Sequence, residues 1–127
     1  MKKIVIAALL TALLSATPVF ADEVTTMWSR LYNRANSYEG KLSIMHGLVE
    51  LDDPSIVPFL GSALAELNET PTDGLSYTLK TRHVALTKLI VRRLGEMKAA
   101  GYSDLLFHVF QNADDVYLRA EAILALG

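Results

Sequence analysis

Apolar side chains return three times along the chain at the spacing i, i+3, i+4, i+7, i+8, i+11, which marks one face of a helix with a 3.6-residue period. The first copy is Val24, Met27, Trp28, Leu31, Tyr32 and Ala35. The second is Ile56, Phe59, Leu60, Ala63, Leu64 and Leu67, and the third is Tyr102, Leu105, Leu106, Val109, Phe110 and Ala113. The positions between them decide the reading. In the first copy they are Thr25, Thr26, Ser29, Arg30, Asn33 and Arg34, all polar; the third has the single exception Phe107, and the second has Val57, Pro58 and Ala65. Three amphipathic helices, each with one buried face, are predicted. Three further helical stretches with broader apolar faces are predicted at about 38–51, 75–98 and 115–126. On the middle one Leu79, Leu86, Ile90, Leu94 and Met97 form a stripe, with Lys88 and Arg92 on the opposite side. No run of β-branched residues with period two stands between turn signals, so no strand is predicted. The fold class is all-α, with helices in the order A, B, A, B, A, B.

Start and stop signals agree with this periodicity. Asp53 before Pro54 reads as an N-cap followed by proline at the first helical position, where its missing N–H costs nothing. Ser103 is predicted to cap the third A-helix, with Tyr102 just outside and Phe107 at the staple position. Asp114 and Asp115 place negative charge at the start of the last helix, where the macrodipole favours it. Asn68 to Gly74 is a cluster of turn and breaker residues and reads as a loop. Sliding the chain by 46 positions aligns Leu48 with Leu94, Leu51 with Met97, Ile56 with Tyr102, Leu60 with Leu106 and Leu64 with Phe110 without a gap. That offset lies within the roughly 40–47 residues of two-helix repeat units.

Two segments carry a resemblance to a known family. Leu51-Asp52-Asp53-Pro54-Ser55-Ile56-Val57-Pro58-Phe59-Leu60 resembles the turn and A-helix of a HEAT repeat, and Asp114 to Gly127, ending in Ala125-Leu126-Gly127, resembles the matching acidic turn and B-helix. The resemblance covers most of residues 38–127. It departs from the family in the long middle B-helix with its loop and in the weakly matched first pair, which would be an N-terminal cap. It implies an α-α superhelix, a HEAT-like solenoid of about three antiparallel helix pairs at about 22–51, 53–98 and 102–127. It also implies that an Asp of the turn pairs with a B-helix arginine such as Arg119.

The first 21 residues stand outside this pattern and read as a targeting segment: Lys2 and Lys3, then the apolar run Ile4 to Ala16, then Pro18, with Val19 and Ala21 as a small-residue cleavage site before Asp22. A membrane anchor needs about 20 continuous apolar residues, and Pro18 interrupts the run too soon. The chain has no cysteine, so a lipid attached at a new N-terminal cysteine is excluded along with disulfides, thiolate metal sites and cysteine nucleophiles. The expected product is an exported, soluble, periplasmic or secreted domain spanning residues 22–127. At 51% hydrophobic residues the chain is too apolar for disorder. Loss of Lys2 and Lys3 leaves ten basic against fourteen acidic residues, an acidic balance that argues against nucleic-acid binding.

Candidate chemistry is sparse. His46, His83 and His108 lie on different helices without metal-ligand spacing, and His83, within an apolar stripe, reads as a partly buried histidine with one hydrogen bond. No phosphate loop, nucleophile elbow or dinucleotide fingerprint is present, and no catalytic residue, metal or cofactor is assigned. The acidic pairs Asp52/Asp53 and Asp114/Asp115 read as turn and cap residues. Lys80, Arg82, Lys88, Arg92, Arg93 and Lys98 face only Glu96 in their stretch, which gives one basic strip on an otherwise acidic protein. If that strip recognises a partner, Arg82 and Arg93, which flank the apolar stripe, are the better candidates, joined by Arg119 on the last helix. The expected function is a non-enzymatic interaction module holding a protein or peptide of the cell envelope on its B-helix face. A HEAT-like lyase and the N-terminal piece of a larger repeat protein are the alternatives. The last helix ends on Ala-Ile-Leu-Ala-Leu-Gly and is expected to expose apolar surface, which leaves self-association through it open.

Overall fold

The computed structural model describes residues 17–127, with side chains described from Glu23 onward. These residues form six helices and no strand: α1 (Thr17–Arg34), α2 (Tyr38–Val49), α3 (Ile56–Glu69), α4 (Tyr77–Glu96), α5 (Ser103–Asn112) and α6 (Val116–Leu126). Residues 1–16 of the predicted targeting segment lie outside the described residues. Helix α1 runs across the Ala21–Asp22 junction and carries Pro18 in its first turn, where no intrahelical N–H bond is lost. Among the described residues no helix is long and apolar enough to cross a membrane.

Local chemistry sets most of the helix ends. Ser37, Ser76 and Asp115 cap α2, α4 and α6, each side chain accepting a first-turn N–H. The expected cap at Asp53 with Pro54 as the first helical residue is corrected: Asp53 Oδ1 accepts the Ser55 N–H at 2.8 Å, a tight turn runs through Pro54 and Ser55, and α3 begins at Ile56 with Ser55 at the capping position. The expected cap at Ser103 is corrected: Ser103 is the first residue of α5, and the capping position belongs to Tyr102, which makes no side-chain cap bond. The Tyr102 ring packs against Gly61 of α3, so close that a Cβ at Gly61 would collide with it. It therefore does not staple to Phe107, whose ring lies 6.1 Å from that of Phe110. The loop also begins later than its composition suggests. Asn68 and Glu69 remain helical, because Asn68 Nδ2 donates to the Leu105 carbonyl at 3.2 Å and ties the end of α3 to α5. Helix α4 closes with Lys98 N–H on Gly95 O and Ala99 N–H on Leu94 O, which puts Lys98 at φ 50, in the left-handed region.

Helices α2, α4 and α6 lie side by side, α3 packs on α5 behind them, and α1, α3 and α5 each pack on the helix that follows. Met45, Leu48, Ile56, Leu60, Leu64, Leu86, Ile90, Val91 and Leu94 are fully enclosed between these layers. Of the aligned positions 46 apart, Leu48 and Leu94 are both buried, as are Leu60 and Leu106, whereas Tyr102 and Phe110 are less enclosed than Ile56 and Leu64. The apolar face of the second copy lies in the core as predicted. That of the first is rotated. Thr25 and Tyr32 are buried, whereas Met27 and Leu31 face outward, because α1 has neighbours on one flank only. Its contacts are with α2, with Ser55 through a 2.6 Å hydroxyl pair from Thr25, and with Phe59 through the edge-on ring of Tyr32.

Cross-helix contacts fix the register of the B-helices. Lys88 lies over the Tyr117 ring, Arg92 binds Glu121, and a Cβ on Gly95 would meet Ala125, so the partners are a constant 29 or 30 positions apart. Helices α4 and α6 therefore run in the same direction, with Val116 level with Leu86. Arg82 with Glu39 at the start of α2, and Arg93 with Leu51 just past its end, set α2 beside α4 in the same sense. Helix α4 has 20 residues and α6 has 11, so the N-terminal part of α4 overhangs α6 by about nine residues, or two and a half turns.

Candidate functional site

The overhang creates the site. Where α4 extends past α6, its flank from Tyr77 to Thr87 is left uncovered, and the ends of α3 and α5 with the loop after α3 wall off a cleft of about 490 Å³, within the range of ligand pockets. Gly74, at φ 86, takes the left-handed turn of that loop, which sets Thr72 and Asp73 along the cleft. The floor is apolar, with Leu67, Val84, Val109 and Leu118. The rim is polar and carries Asp73, Asp114 and Asp115 against the single cation Lys80. Tyr77 stands at the mouth, 86% exposed.

His83 and His108, which the sequence left as unrelated residues on two helices, both line this cleft. His83 Nδ1 lies 3.0 Å from the Tyr38 hydroxyl and its ring meets that of Tyr38 edge-on. Burial lowers the pKa of His83 and raises that of Tyr38. The reading of His83 as a partly buried histidine with one hydrogen bond matches this geometry. Among the described residues no three His, Asp or Glu side chains are grouped as a metal site. Asp115 Oδ1 is engaged by the Leu118 N–H at 2.8 Å, which leaves Asp73 and Asp114 as the outward-facing carboxylates of the rim.

None of the three arginines singled out in the sequence lines the cleft. Arg82 faces Glu39 at 3.4 Å. Arg93, with a side chain only 18% exposed, donates from Nη2 to the Leu51 carbonyl at 3.2 Å, stands 3.8 Å from Asp52 and 3.3 Å from Glu96, and has its Nε buried without a partner. Arg93 thus locks the α2–α3 turn onto α4. The ion pair between a turn aspartate and a B-helix arginine is made by Asp52 and Arg93; Arg119 instead covers the Phe110 ring at 5.3 Å. The three arginines of the basic strip, Arg82, Arg92 and Arg93, are paired with carboxylates within the fold. Arg92 donates from Nε and Nη2 to Glu121 Oε1 at 3.1 and 2.7 Å, and this hydrogen bond and charge hold its guanidinium further above its usual pKa.

Sequence reasoning missed Asp73, Tyr77 and His108 as parts of one site. The signal available was the mismatch between an overlong B-helix with a breaker loop and the short last helix; the cleft follows once the two are known to be in register. No family model matches the chain, and neither curated proteins nor solved structures yield a match.

Proposed function

We propose that this chain is an exported, HEAT-like α-solenoid acting as a non-enzymatic interaction module, which holds a protein or peptide partner in the cell envelope along its B-helix side. Three helix pairs with side-by-side, co-directional B-helices, and the shared burial of Leu48 with Leu94 and of Leu60 with Leu106, support the repeat architecture. The targeting pattern of residues 1–21 supports export. The observation that carries the binding reading is the cleft beside α4: open, apolar at its floor, and ringed by carboxylates in excess of lysine. An extended segment bearing a basic side chain fits it, with the aliphatic stem on Leu67 and Val84 and the charge toward Asp73 and Asp114. Arg82 and Arg119, both at the surface, would extend the contact along the B-helices. Arg93 supports the site through the turn it holds.

A photo-crosslinking amino acid placed at Tyr77, and separately at Arg82, in the protein expressed in its own cell envelope tests the reading. The expected result is a discrete adduct from Tyr77, lost when Asp73→Lys and Asp114→Lys are combined, in protein whose N-terminus is Asp22. An adduct insensitive to those reversals would remove the cleft from the interface, and no adduct from either position would sink the module reading.

A further inference from the structure

Helix α6 is apolar apart from Arg119 and Glu121, with apolar side chains on more than the one face a surface helix buries. One side is covered: Leu118 and Ala122 are buried against α4 and α5. The other is open, with Val116 72%, Tyr117 74%, Ile123 51% and Leu124 74% exposed. At 100° per residue these four and Ala120 fill a sector of roughly 120° that contains no charged side chain. Arg119 lies at its edge, turned onto Phe110, and Glu121 lies outside it, bound by Arg92.

We propose that this sector is a two-fold interface with a second copy of the chain, the α6 helices crossing antiparallel at Ala120. The arrangement of the residues argues for a copy of itself as the occupant. Large apolar side chains stand at three and four positions on either side of Ala120: Tyr117 and Val116 before it, Ile123 and Leu124 after it. A two-fold axis through Ala120 therefore brings Tyr117 of one copy onto Leu124 of the other along one flank, and Val116 onto Ile123 along the other. The small residue at the axis lets the backbones approach, and every contact is made twice, as an isologous interface requires. The exposed fractions of these four residues and Ala120 amount to roughly 550 Å² per copy, so full occlusion by the pair would bury about 1,100 Å², just above the roughly 1,000 Å² that a specific interface should clear. Such an area fits a weak, concentration-dependent dimer. This inference does not depend on the cleft, which opens on a different side of α6.

The test uses the protein as its host processes it, with the N-terminus read by mass spectrometry. Sedimentation equilibrium between about 5 and 300 µM should give a monomer–dimer equilibrium, and Ala120→Glu and Leu124→Glu should each weaken it at least tenfold with unchanged helical circular dichroism. Because the chain has no cysteine, Ala120→Cys gives an independent reading. Its thiol meets its own copy at the axis and should form a disulfide dimer under mild oxidation much faster than Ser62→Cys on the exposed side of α3. A monomer at 300 µM, open-ended oligomers, a complex with another protein in place of the dimer, or equal cross-linking at both cysteines would each overturn the proposal.

Discussion

His83 shows how a residue with a plain local reading acquires a role from its surroundings. Its Nδ1 meets the Tyr38 hydroxyl at 3.0 Å between α2 and α4, and burial lowers its pKa below the ordinary value of 6.5. The folded protein therefore resists protonation that the unfolded chain accepts near pH 6.5. Stability is full above that value, declines as pH falls through it, and levels off below the folded pKa. Urea unfolding at pH 7.5 and pH 5 should show this loss, and His83→Gln should show less of it; an equal loss in both proteins would remove His83 as its source. At pH 7.5 Tyr38→Phe should cost about 0.5–1.5 kcal/mol, the usual net value of one hydrogen bond. The place of His83 in an apolar stripe made its partial burial legible. Its partner was not legible, because Tyr38 lies 45 positions away and only the packing of α2 on α4 brings them together.

Among the helices the periodicity located each element, and the differences arise where a neighbour intervenes. Asn68 extends α3 because it finds a carbonyl on α5, and Tyr102 gives up a local staple for a seat against Gly61. Gly95 has the same kind of significance. A Cβ there would stand 2.9 Å from Ala125 Cα and 3.0 Å from its Cβ, and α6 backbone cannot rotate away as a flexible side chain could. Gly95→Ala gains about 1 kcal/mol in helix propensity, but overpacking against backbone costs typically 1–3 kcal/mol. The expected outcome is a net loss of up to about 2 kcal/mol and a lower midpoint in thermal unfolding. A stabilised Gly95→Ala variant would mean that α4 and α6 are not held at this distance.

Across the assembled protein the six helices differ in how completely they are enclosed. Helix α4 is flanked by α2 and α6 and backed by α3, whereas α1 and α6 each leave one face open. Helices with fewer packed neighbours open locally at lower cost than those enclosed on several sides. Amides of α4 around Ile90 are expected to exchange only through global opening, and those of α1 and α6 at least tenfold faster through local opening, in dilute protein. Native-state hydrogen exchange checks this, and uniform protection across the helices would contradict it. The sequence by itself determined the helix class, the order of the described elements and the cap at Asp115, because each is written in the period of neighbouring side chains or in backbone groups a few residues apart. Tertiary structure alone decided the outward turn of Met27 and Leu31, the pairing of Arg93 with the α2–α3 turn, the pairing of Arg82 with Glu39 and of Arg92 with Glu121, and the cleft formed where α4 outruns α6. Those depend on which helices become neighbours and in what register, and that is set by the summed packing of residues far apart in the chain.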